Sequence, residues 1–335
     1  MRPKLTDVAE KAGCSPTTVS RVINNYGYIS QKTRDRVYAA MRELNYQPNT
    51  LARSLQGKRT KMIGVIMPSI TNPFFAELVA AIEDKLESDG YKMLLCDAGQ
   101  DSDKERRYLR MLEANQVDGI IAGSHNLGIE EYQLYGLPIV SFDRDLSDQV
   151  PDLSDQVPIV TSDNYQGGCL ATQALVDAGC GHVYFVGNPV KTGNPTSRRF
   201  DGYADTVAAA GLTVHTARSA FYESPAAKAR ELRELLTSGR KIDGVFCSDD
   251  LTAILLLKEA RKLGIRVPED LKIVGFDGTQ LVQNYVPELA TVVQPVPDLA
   301  GTLVKLLYER IADPEKKLAQ NSYLLPVKLL RNQTV

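Results

Sequence analysis

The chain has 335 residues, of which 43% are apolar and 24% are charged, and its formal net charge is -2. This composition is typical of a globular protein of two or three domains, and it excludes a collagen, a disordered polymer and a small disulfide scaffold. No apolar run approaches the ~20 residues that cross a bilayer, and the first residues lack a secretory signal. The five cysteines form no C-x-x-C pair, so we expect free thiols in the cytoplasm and no metal site. Because no apolar run is long enough to cross a bilayer, we expect no membrane association.

The charge is divided unevenly along the chain. Residues 1–60 contain eleven Lys/Arg and four Asp/Glu, a net charge of +7, whereas the remainder carries -9. A small basic segment joined to a larger acidic one predicts a polyanion-binding module attached to a second functional unit.

The first helices are predicted from capping signals. Thr6 is the expected N-cap of a helix that Gly13 ends, because glycine tolerates the left-handed backbone of a helix C-terminus. Ser15 and Pro16 then predict the N-cap and first residue of a second helix that runs to Asn24. Two short helices about a tight glycine turn are typical of a helix-turn-helix, whose second helix enters the major groove of DNA. A third helix is predicted from Ser30 to about Tyr46, ended by Pro48.

From Lys61 onwards, apolar runs alternate with amphipathic segments. The predicted strands are Met62–Met67, Lys92–Asp97, Asp118–Ala122, Pro138–Phe142, Pro158–Ser162, His182–Gly187, Thr213–Thr216, Ile242–Cys247, Leu271–Phe276 and Ala290–Gln294. The predicted helices between them are Pro73–Ser88, Asp103–Ala114, Tyr165–Ala178, Thr196–Ala210, Pro225–Ser238, Asp250–Leu263 and Val296–Ile311. This alternation predicts two lobes of doubly wound parallel sheet, and the lack of GxGxxG and GxxxxGK[ST] motifs disfavours a nucleotide-dependent enzyme.

Polar and aromatic side chains follow several predicted strands. Ligands bind beyond the carboxyl ends of strands in such lobes, where aromatic rings stack on sugars and charged side chains pair with hydroxyls. Asp163 or Asp250, taken singly, has an alternative interpretation as the cap of the following helix. Taken together, the polar and aromatic side chains that follow the predicted strands predict a binding cleft.

The motifs resemble those of the lactose/galactose repressor family of transcriptional regulators. The resemblance rests on LTDVAEKAGCSPTTVSRVIN (Leu5–Asn24), LNYQPN (Leu44–Asn49) and LARSLQGK (Leu51–Lys58), and it extends over essentially the whole chain. Within the family, NQVDGII (Asn115–Ile121) and SHNLGI (Ser124–Ile129) resemble sucrose- and ribose-operon repressors. The implied fold is α/β: an all-α helix-turn-helix head and a two-lobed, periplasmic-binding-protein-like body of doubly wound parallel sheets.

The family implies a set of DNA contacts. Pro16, Thr17 and Arg21 stand at base-reading positions, and Pro16 can make only an apolar contact such as one with a thymine methyl. Thr18, Ser20 and Asn24 are expected to hold phosphates. The segment Asn49–Gln56 resembles a hinge helix in which Leu55 is a wedge between base pairs, although a core leucine is the alternative interpretation. The expected DNA-contacting residues are Thr6, Ser15, Pro16, Thr17, Thr18, Ser20, Arg21, Asn24, Asn49, Leu51, Ala52, Arg53 and Leu55.

The family also implies an effector site in the cleft. RFDGY (Arg199–Tyr203) matches the family's Arg-x-x-Gly-aromatic pattern, so Arg199 is the most specific of these assignments. The expected effector-binding residues are Phe74, Phe75, Arg144, Asp163, Arg199, Phe221, Asp249, Asp277 and Gln294.

The expected domains are a head at 1–48, a hinge at 49–60 and a body at 61–335. Within the body we expect a first lobe at about 61–161 and 292–320, and a second at about 162–291 and 321–335. DLSDQVP at Asp145–Pro151 is repeated unchanged at Asp152–Pro158, which indicates a recent duplication or a sequence error within one loop; the unit is too short for a repeat fold.

The leading hypothesis is a homodimeric repressor without a cofactor, which binds a palindromic double-stranded operator under the control of a sugar or sugar phosphate. One alternative is control by a phosphorylated carrier protein that docks on the first lobe, as in the catabolite-control branch of the family. The other is a sugar-cleaving enzyme, which the three scattered histidines and the absence of a catalytic or metal motif disfavour.

Overall fold

The computed structural model describes residues 3–47, 59–124, 126–143, 157–188, 194–219, 222–314 and 320–335. The chain forms two compact units, Met1–Thr60 and Lys61–Val335, which we call the head and the body.

The described part of the head is helical. It contains α1 (Leu5–Ala12), α2 (Pro16–Ile23) and α3 (Gln31–Glu43). Their apolar faces meet in a small core made of Val8, Ala9, Ala12, Val19, Val22, Val37 and Ala40. Gly13 has φ +60, and its amide and that of Cys14 donate to the carbonyls of Glu10 and Ala9, so the turn ends α1 as predicted.

Two predicted boundaries in the head are wrong. The N-cap of α1 is Lys4, whose amide donates to Asp7 at 2.8 Å, so Thr6 lies inside the helix. Helix α3 ends at Glu43, before the predicted Tyr46, because Asn45 adopts a left-handed φ of 48 and the Tyr46 amide turns back to Met41. Pro48 lies outside the described residues.

The first lobe of the body is built on a parallel sheet of order β11-β5-β4-β3-β1-β2. Its strands are β1 (Met62–Met67), β2 (Lys92–Asp97), β3 (Gly119–Ala122), β4 (Ile139–Phe142), β5 (Ile159–Ser162) and β11 (Ser322–Leu325). Its helices are α4 (Pro73–Ser88), α5 (Ser102–Ala114), α6 (Ile129–Gln133) and α12 (Val296–Ala312). Buried apolar side chains line both faces of the sheet, as parallel sheets require.

The second lobe has a sheet of order β12-β10-β9-β8-β6-β7, in which β12 runs antiparallel to β10. Its strands are β6 (Val183–Gly187), β7 (His215–Arg218), β8 (Gly244–Cys247), β9 (Lys272–Asp277), β10 (Ala290–Val293) and β12 (Lys328–Leu330). Its helices are α7 (Asn164–Asp177), α8 (Pro195–Ala209), α9 (Pro225–Leu236), α10 (Asp250–Lys262) and α11 (Gln280–Tyr285). The predicted α/β class with two doubly wound lobes is therefore confirmed.

The chain passes between the lobes three times, after β5, after β10 and after β11. The predicted last boundary, at residue 321, is wrong, because Ser322–Leu325 pairs with Ile159–Ser162 in the first sheet. The elements α6, α11, β11 and β12 were not predicted from the sequence. In the described part of the chain, no helix is long and apolar enough to cross a membrane.

Candidate DNA-binding face and effector cleft

Helix α2 presents a polar face. The Ser15 hydroxyl accepts a hydrogen bond from the Thr18 amide at 3.1 Å, which fixes the start of the helix, and Pro16 occupies its first turn. Val19 and Val22 are buried in the head core. As a result Pro16, Thr17 and Arg21 are exposed, and Thr18, Ser20 and Asn24 are half-buried beside them. These are the residues that the sequence predicts for base and phosphate contacts.

Some of these side chains also have a structural role. Asn24 donates to the Ser20 carbonyl at 2.8 Å and caps the end of α2, and Thr6 contacts the neighbouring Asp7 at 3.3 Å. The predicted hinge residues Asn49, Leu51, Ala52, Arg53 and Leu55 lie outside the described residues.

Two exposed tyrosines in the turn after α2 are not among the predicted DNA-contacting residues. Tyr26 is 67% exposed and Tyr28 is 98% exposed, in a turn where Asn25 and Gly27 have positive φ. Arg34 fixes this turn, donating to the Asn25 side chain at 2.7 Å and to the Ile29 carbonyl at 3.3 Å. The available signal was an aromatic pair in an Asn-Gly turn within a basic module.

Arg199 lies at the centre of the polar residues of the body. It projects from α8 and is 7% exposed; its Nε donates to Asn164 Oδ1 at 2.8 Å and its Nη1 donates to the Ser248 carbonyl at 2.6 Å. The guanidinium stacks 3.6 Å above the Phe276 ring. Burial lowers the pKa of Arg199, and the charges of Asp277, Asp143, Asp249 and Asp250 oppose that shift.

Close packing of α7 on α8 brings Arg199 to Asn164. A Cβ atom on Gly168 would collide with the Arg199 carbonyl, and one on Gly202 would collide with the Tyr165 carbonyl. Glycine at these two positions therefore allows the backbones to approach until the two side chains meet.

Asp277 ends β9 and faces Arg199. It has φ 119, and its Oδ1 accepts from Gln294 Nε2 at 2.8 Å. Burial raises the pKa of Asp277 to about 7, although Arg199 acts in the opposite direction. Gln294 is 3% exposed, and its Oε1 has no hydrogen-bond partner among the described residues.

Asp249 and Asp250 have separate tasks. Asp249 is the N-cap of α10 and accepts from the Thr252 amide and hydroxyl, both at 2.8 Å. Asp250 accepts from the Gly278 amide at 2.7 Å and from Thr291 Oγ1 at 2.5 Å, and burial raises its pKa well above the usual range. Asp249, and not Asp250, therefore caps the helix, and Asp250 links α10 to the turn after β9.

Asp143, directly after β4, and Asn164, in the crossover after β5, join the cluster, although the site prediction omitted both. Asp143 is 6% exposed and accepts from Thr161 Oγ1 at 2.7 Å; burial raises its pKa. Asn164 donates to Thr161 Oγ1 and to the Ser162 carbonyl, and it accepts from Arg199. The predicted Asp163 is half-buried and caps α7 through the Gln166 amide at 2.9 Å, which is the alternative that the sequence left open.

Phe74 and Phe75, two of the three aromatic residues predicted for the effector site, lie in different environments. Phe74 is 3% exposed and packs in the core of the first lobe, with its ring centroid 5.9 Å from that of Phe142. Phe75 is half-buried, 5.3 Å from Phe74 and 6.5 Å from Phe142 in edge-to-face contacts. Phe74 and the fully buried Phe142 therefore belong to the core of the first lobe, and Phe75 packs against that core. Arg144 and Phe221 lie outside the described residues.

Comparison with known proteins identifies the family. Residues 4–49 match the model of bacterial regulatory proteins of the lacI family, and residues 172–335 match that of the periplasmic binding protein-like domain. A sucrose operon repressor of Pediococcus pentosaceus is 54% identical over 100% of both chains. The chain belongs to the lacI family of bacterial regulatory proteins.

Other matches agree with this assignment. A ribose operon repressor of Bacillus subtilis strain 168 is 35% identical over 98% of both chains. Among solved structures, the Lac repressor bound to ONPG in the repressed state is 26% identical over 100% of both chains, with a TM-score of 0.84. The predicted family is confirmed, and this family member is a DNA-binding repressor of a carbohydrate operon and not an enzyme.

Proposed function

We propose that this lacI-family protein is a homodimeric repressor of sucrose-utilisation genes, released from a palindromic operator when a small sugar or sugar phosphate binds in the body cleft. The observation that carries the effector assignment is the buried polar cluster around Arg199, with Asp143, Asp249 and Asp277 at strand ends. The operon is taken from the sucrose operon repressors to which the chain is similar. The protein acts in the cytoplasm, where its operator DNA lies.

The cluster has hydrogen-bonding capacity that the described residues do not use. Ser162 Oγ belongs to the last residue of β5 and Gln294 Oε1 to the residue after β10; both atoms are buried and lack hydrogen-bond partners among the described residues. A buried polar atom without a partner costs about 1–3 kcal/mol. Hydroxyl groups of a sugar would satisfy both atoms, and the carboxylates would accept further hydroxyl protons.

In the head, Pro16, Thr17 and Arg21 read bases from the exposed face of α2, and Thr6, Ser15, Thr18, Ser20 and Asn24 fix the helix on the phosphates. The hinge residues Asn49, Leu51, Ala52, Arg53 and Leu55 add contacts in the minor groove. Two heads on a two-fold dimer would read the two halves of a palindrome.

The dimer is supported by exposed apolar side chains on neighbouring helices of the second lobe. Leu251 on α10 is 38% exposed, and Leu281 and Tyr285 on α11 are 53% and 81% exposed. Tyr285 lines a groove with Ile254 and Leu257 of α10. The groove is also lined by charged side chains of Lys258, Arg261, Lys262 and Glu288, so apolar and charged groups occur together there, as they do in protein–protein interfaces.

Direct contacts join the lobes, so a ligand between them can change their arrangement. The Gln280 amide of the second lobe donates to Glu77 Oε2 of the first at 2.9 Å, and the Tyr222 hydroxyl donates to the Gly99 carbonyl at 3.5 Å. Release from DNA requires the ligand to bind the two arrangements unequally, typically by about 1–3 kcal/mol.

Fluorescence anisotropy on labelled DNA from the protein's own promoter region tests the proposal. The full-length protein is titrated at two salt concentrations, with and without sucrose, fructose, ribose and their phosphates. We expect tight binding to a palindrome and release by one of these compounds. Tight DNA binding that none of these compounds weakens would contradict effector control and would favour control by a phosphorylated carrier protein.

A further inference from the structure

Lys228 is a buried cation in the second lobe. It is the fourth residue of α9 and is 6% exposed. Burial of an ammonium group costs free energy, and the positive end of a helix dipole adds to that cost. The first turn of α9 contains no acidic residue, and no ion pair to Lys228 occurs in the described part of the chain. Its position therefore requires a compensating interaction.

The compensating contacts lead to the effector cleft. Lys228 Nζ donates to Thr252 Oγ1 at 3.4 Å, and Thr252 is fully buried in the first turn of α10. The same hydroxyl donates to Asp249 Oδ2 at 2.8 Å. The Lys228 ammonium group can only donate and the Asp249 carboxylate can only accept, so the two together fix the orientation of the Thr252 hydroxyl between them.

The Asp249 carboxylate accepts two further hydrogen bonds. Its Oδ1 accepts from the Thr252 amide at 2.8 Å, and its Oδ2 accepts from Ser248 Oγ at 3.2 Å. The adjacent Ser248 carbonyl accepts from Arg199, so this carboxylate is tied to the centre of the cluster. A carboxylate fixed in this way keeps its orientation before a ligand arrives, which reduces the entropy lost on binding.

We propose that Lys228 is a positioning residue for effector binding, acting through the Thr252 hydroxyl to fix the Asp249 carboxylate. The inference rests on the proposed function, in which a sugar binds in this cleft. Lys228 itself touches no ligand. The Thr252 hydroxyl joins the two buried groups, and the nearby carboxylate offsets the cost of burying the ammonium group.

Calorimetric titration of the full-length protein with sucrose, fructose and fructose 6-phosphate tests this role. We expect Lys228→Met and Thr252→Val each to weaken binding of the recognised compound about tenfold. The double variant should bind no more weakly than the weaker single variant, because both changes break the same relay. Lys228→Arg should recover part of the affinity. Arg230→Met, an exposed cation on the same helix, is the matched control and should bind as the wild type does.

Operator affinity and melting temperature verify that each variant is folded. Wild-type affinity in Lys228→Met would overturn the positioning role, and losses that multiply in the double variant would overturn the relay through Thr252. A loss restricted to fructose 6-phosphate would assign Lys228 to direct phosphate contact and would also overturn the inference. If the wild type binds none of sucrose, fructose, ribose and their phosphates, effector control in the proposed function fails, and the inference fails with it.

Discussion

The two polar surfaces of this protein, the face of α2 in the head and the cluster around Arg199 in the body, are built in opposite ways. Pro16, Thr17 and Arg21 are exposed, each free to contact DNA independently of the others. Arg199, Asp277 and Asp143 are buried and hydrogen-bonded into one network. Exposed charges act weakly, additively and with strong salt dependence, whereas buried ones act strongly and as a unit. Substitutions should therefore have graded effects in the head and all-or-none effects in the body.

The largest effect is expected from Arg199→Ala. Its loss leaves four buried carboxyl groups without their cation and removes the donor of the hydrogen bonds to Asn164 Oδ1 and the Ser248 carbonyl. Response to the effector should disappear while operator affinity stays within about twofold of the wild type. Arg198→Ala is the matched control, because that neighbouring side chain is 58% exposed and pairs with Asp201. Fluorescence anisotropy with added sugar measures operator affinity and effector response in both variants. Release of the Arg199→Ala variant from DNA at the sugar concentration that releases the wild type would refute the effector site around Arg199.

The next effect concerns pH. In the folded body the pKa of Asp277 is about 7, above the ordinary value of about 3.9. The stabilisation from its proton is therefore complete below about pH 4 and is lost as the pH rises through 7. The raised pKa values of Asp250 and Asp143 act in the same direction.

Asp277→Asn should consequently flatten the decline of melting temperature between pH 5 and pH 8 in sugar-free protein, by an amount equivalent to about 2–4 kcal/mol. Differential scanning calorimetry at several pH values measures the slope. An unchanged slope of melting temperature against pH in the variant would show that Asp277 is ionised over the whole range from pH 5 to pH 8. Asp277 would then not behave as a buried carboxyl group.

A smaller, graded effect is expected in the head from Arg21→Ala. Loss of one exposed base-reading or phosphate-binding cation should weaken operator binding about 10- to 100-fold, equivalent to about 1–3 kcal/mol. Effector affinity should not change. Lys11→Ala removes the same charge from a side chain that pairs with Glu43 at 2.6 Å, and it should cost less. Equal losses in the two variants, measured by anisotropy at two salt concentrations, would show that net charge rather than position matters.

The smallest effect is expected from Ser15→Ala. The variant loses the hydroxyl that accepts from the Thr18 amide, which should lower the free energy of unfolding of the head by about 1 kcal/mol. Thermal unfolding followed by circular dichroism measures this change. A destabilisation above about 3 kcal/mol would mean that Ser15 does more than cap α2.

The same contrast explains what could be predicted from the sequence. Helix α2 was predicted because its signals, Ser15, Pro16 and the glycine turn, act within a few residues of one another. Asn164 was omitted because its contact with Arg199 depends on the close approach of α7 to α8 at Gly168 and Gly202. Asp143 was omitted because its contact with Thr161 depends on the pairing of β4 with β5. Strand β11 was missed because it is short and half-exposed, and its partner β5 lies more than a hundred residues earlier. Local chemistry could be predicted, but the packing that assembles the cleft could not.

The three passages of the chain between the lobes have a consequence for synthesis. Neither lobe is a continuous segment: the first sheet is completed by Ser322–Leu325 and the second by Lys328–Leu330. Thr334 then joins the Ile273 carbonyl and the Ala290 amide in the second lobe, at 2.7 and 2.8 Å. During translation the head can fold as soon as it leaves the ribosome, whereas the first sheet lacks its edge strand until residue 325 emerges and the second until residue 330 emerges. A nascent chain would therefore carry a finished DNA-binding module before it has a cleft that can respond to a sugar.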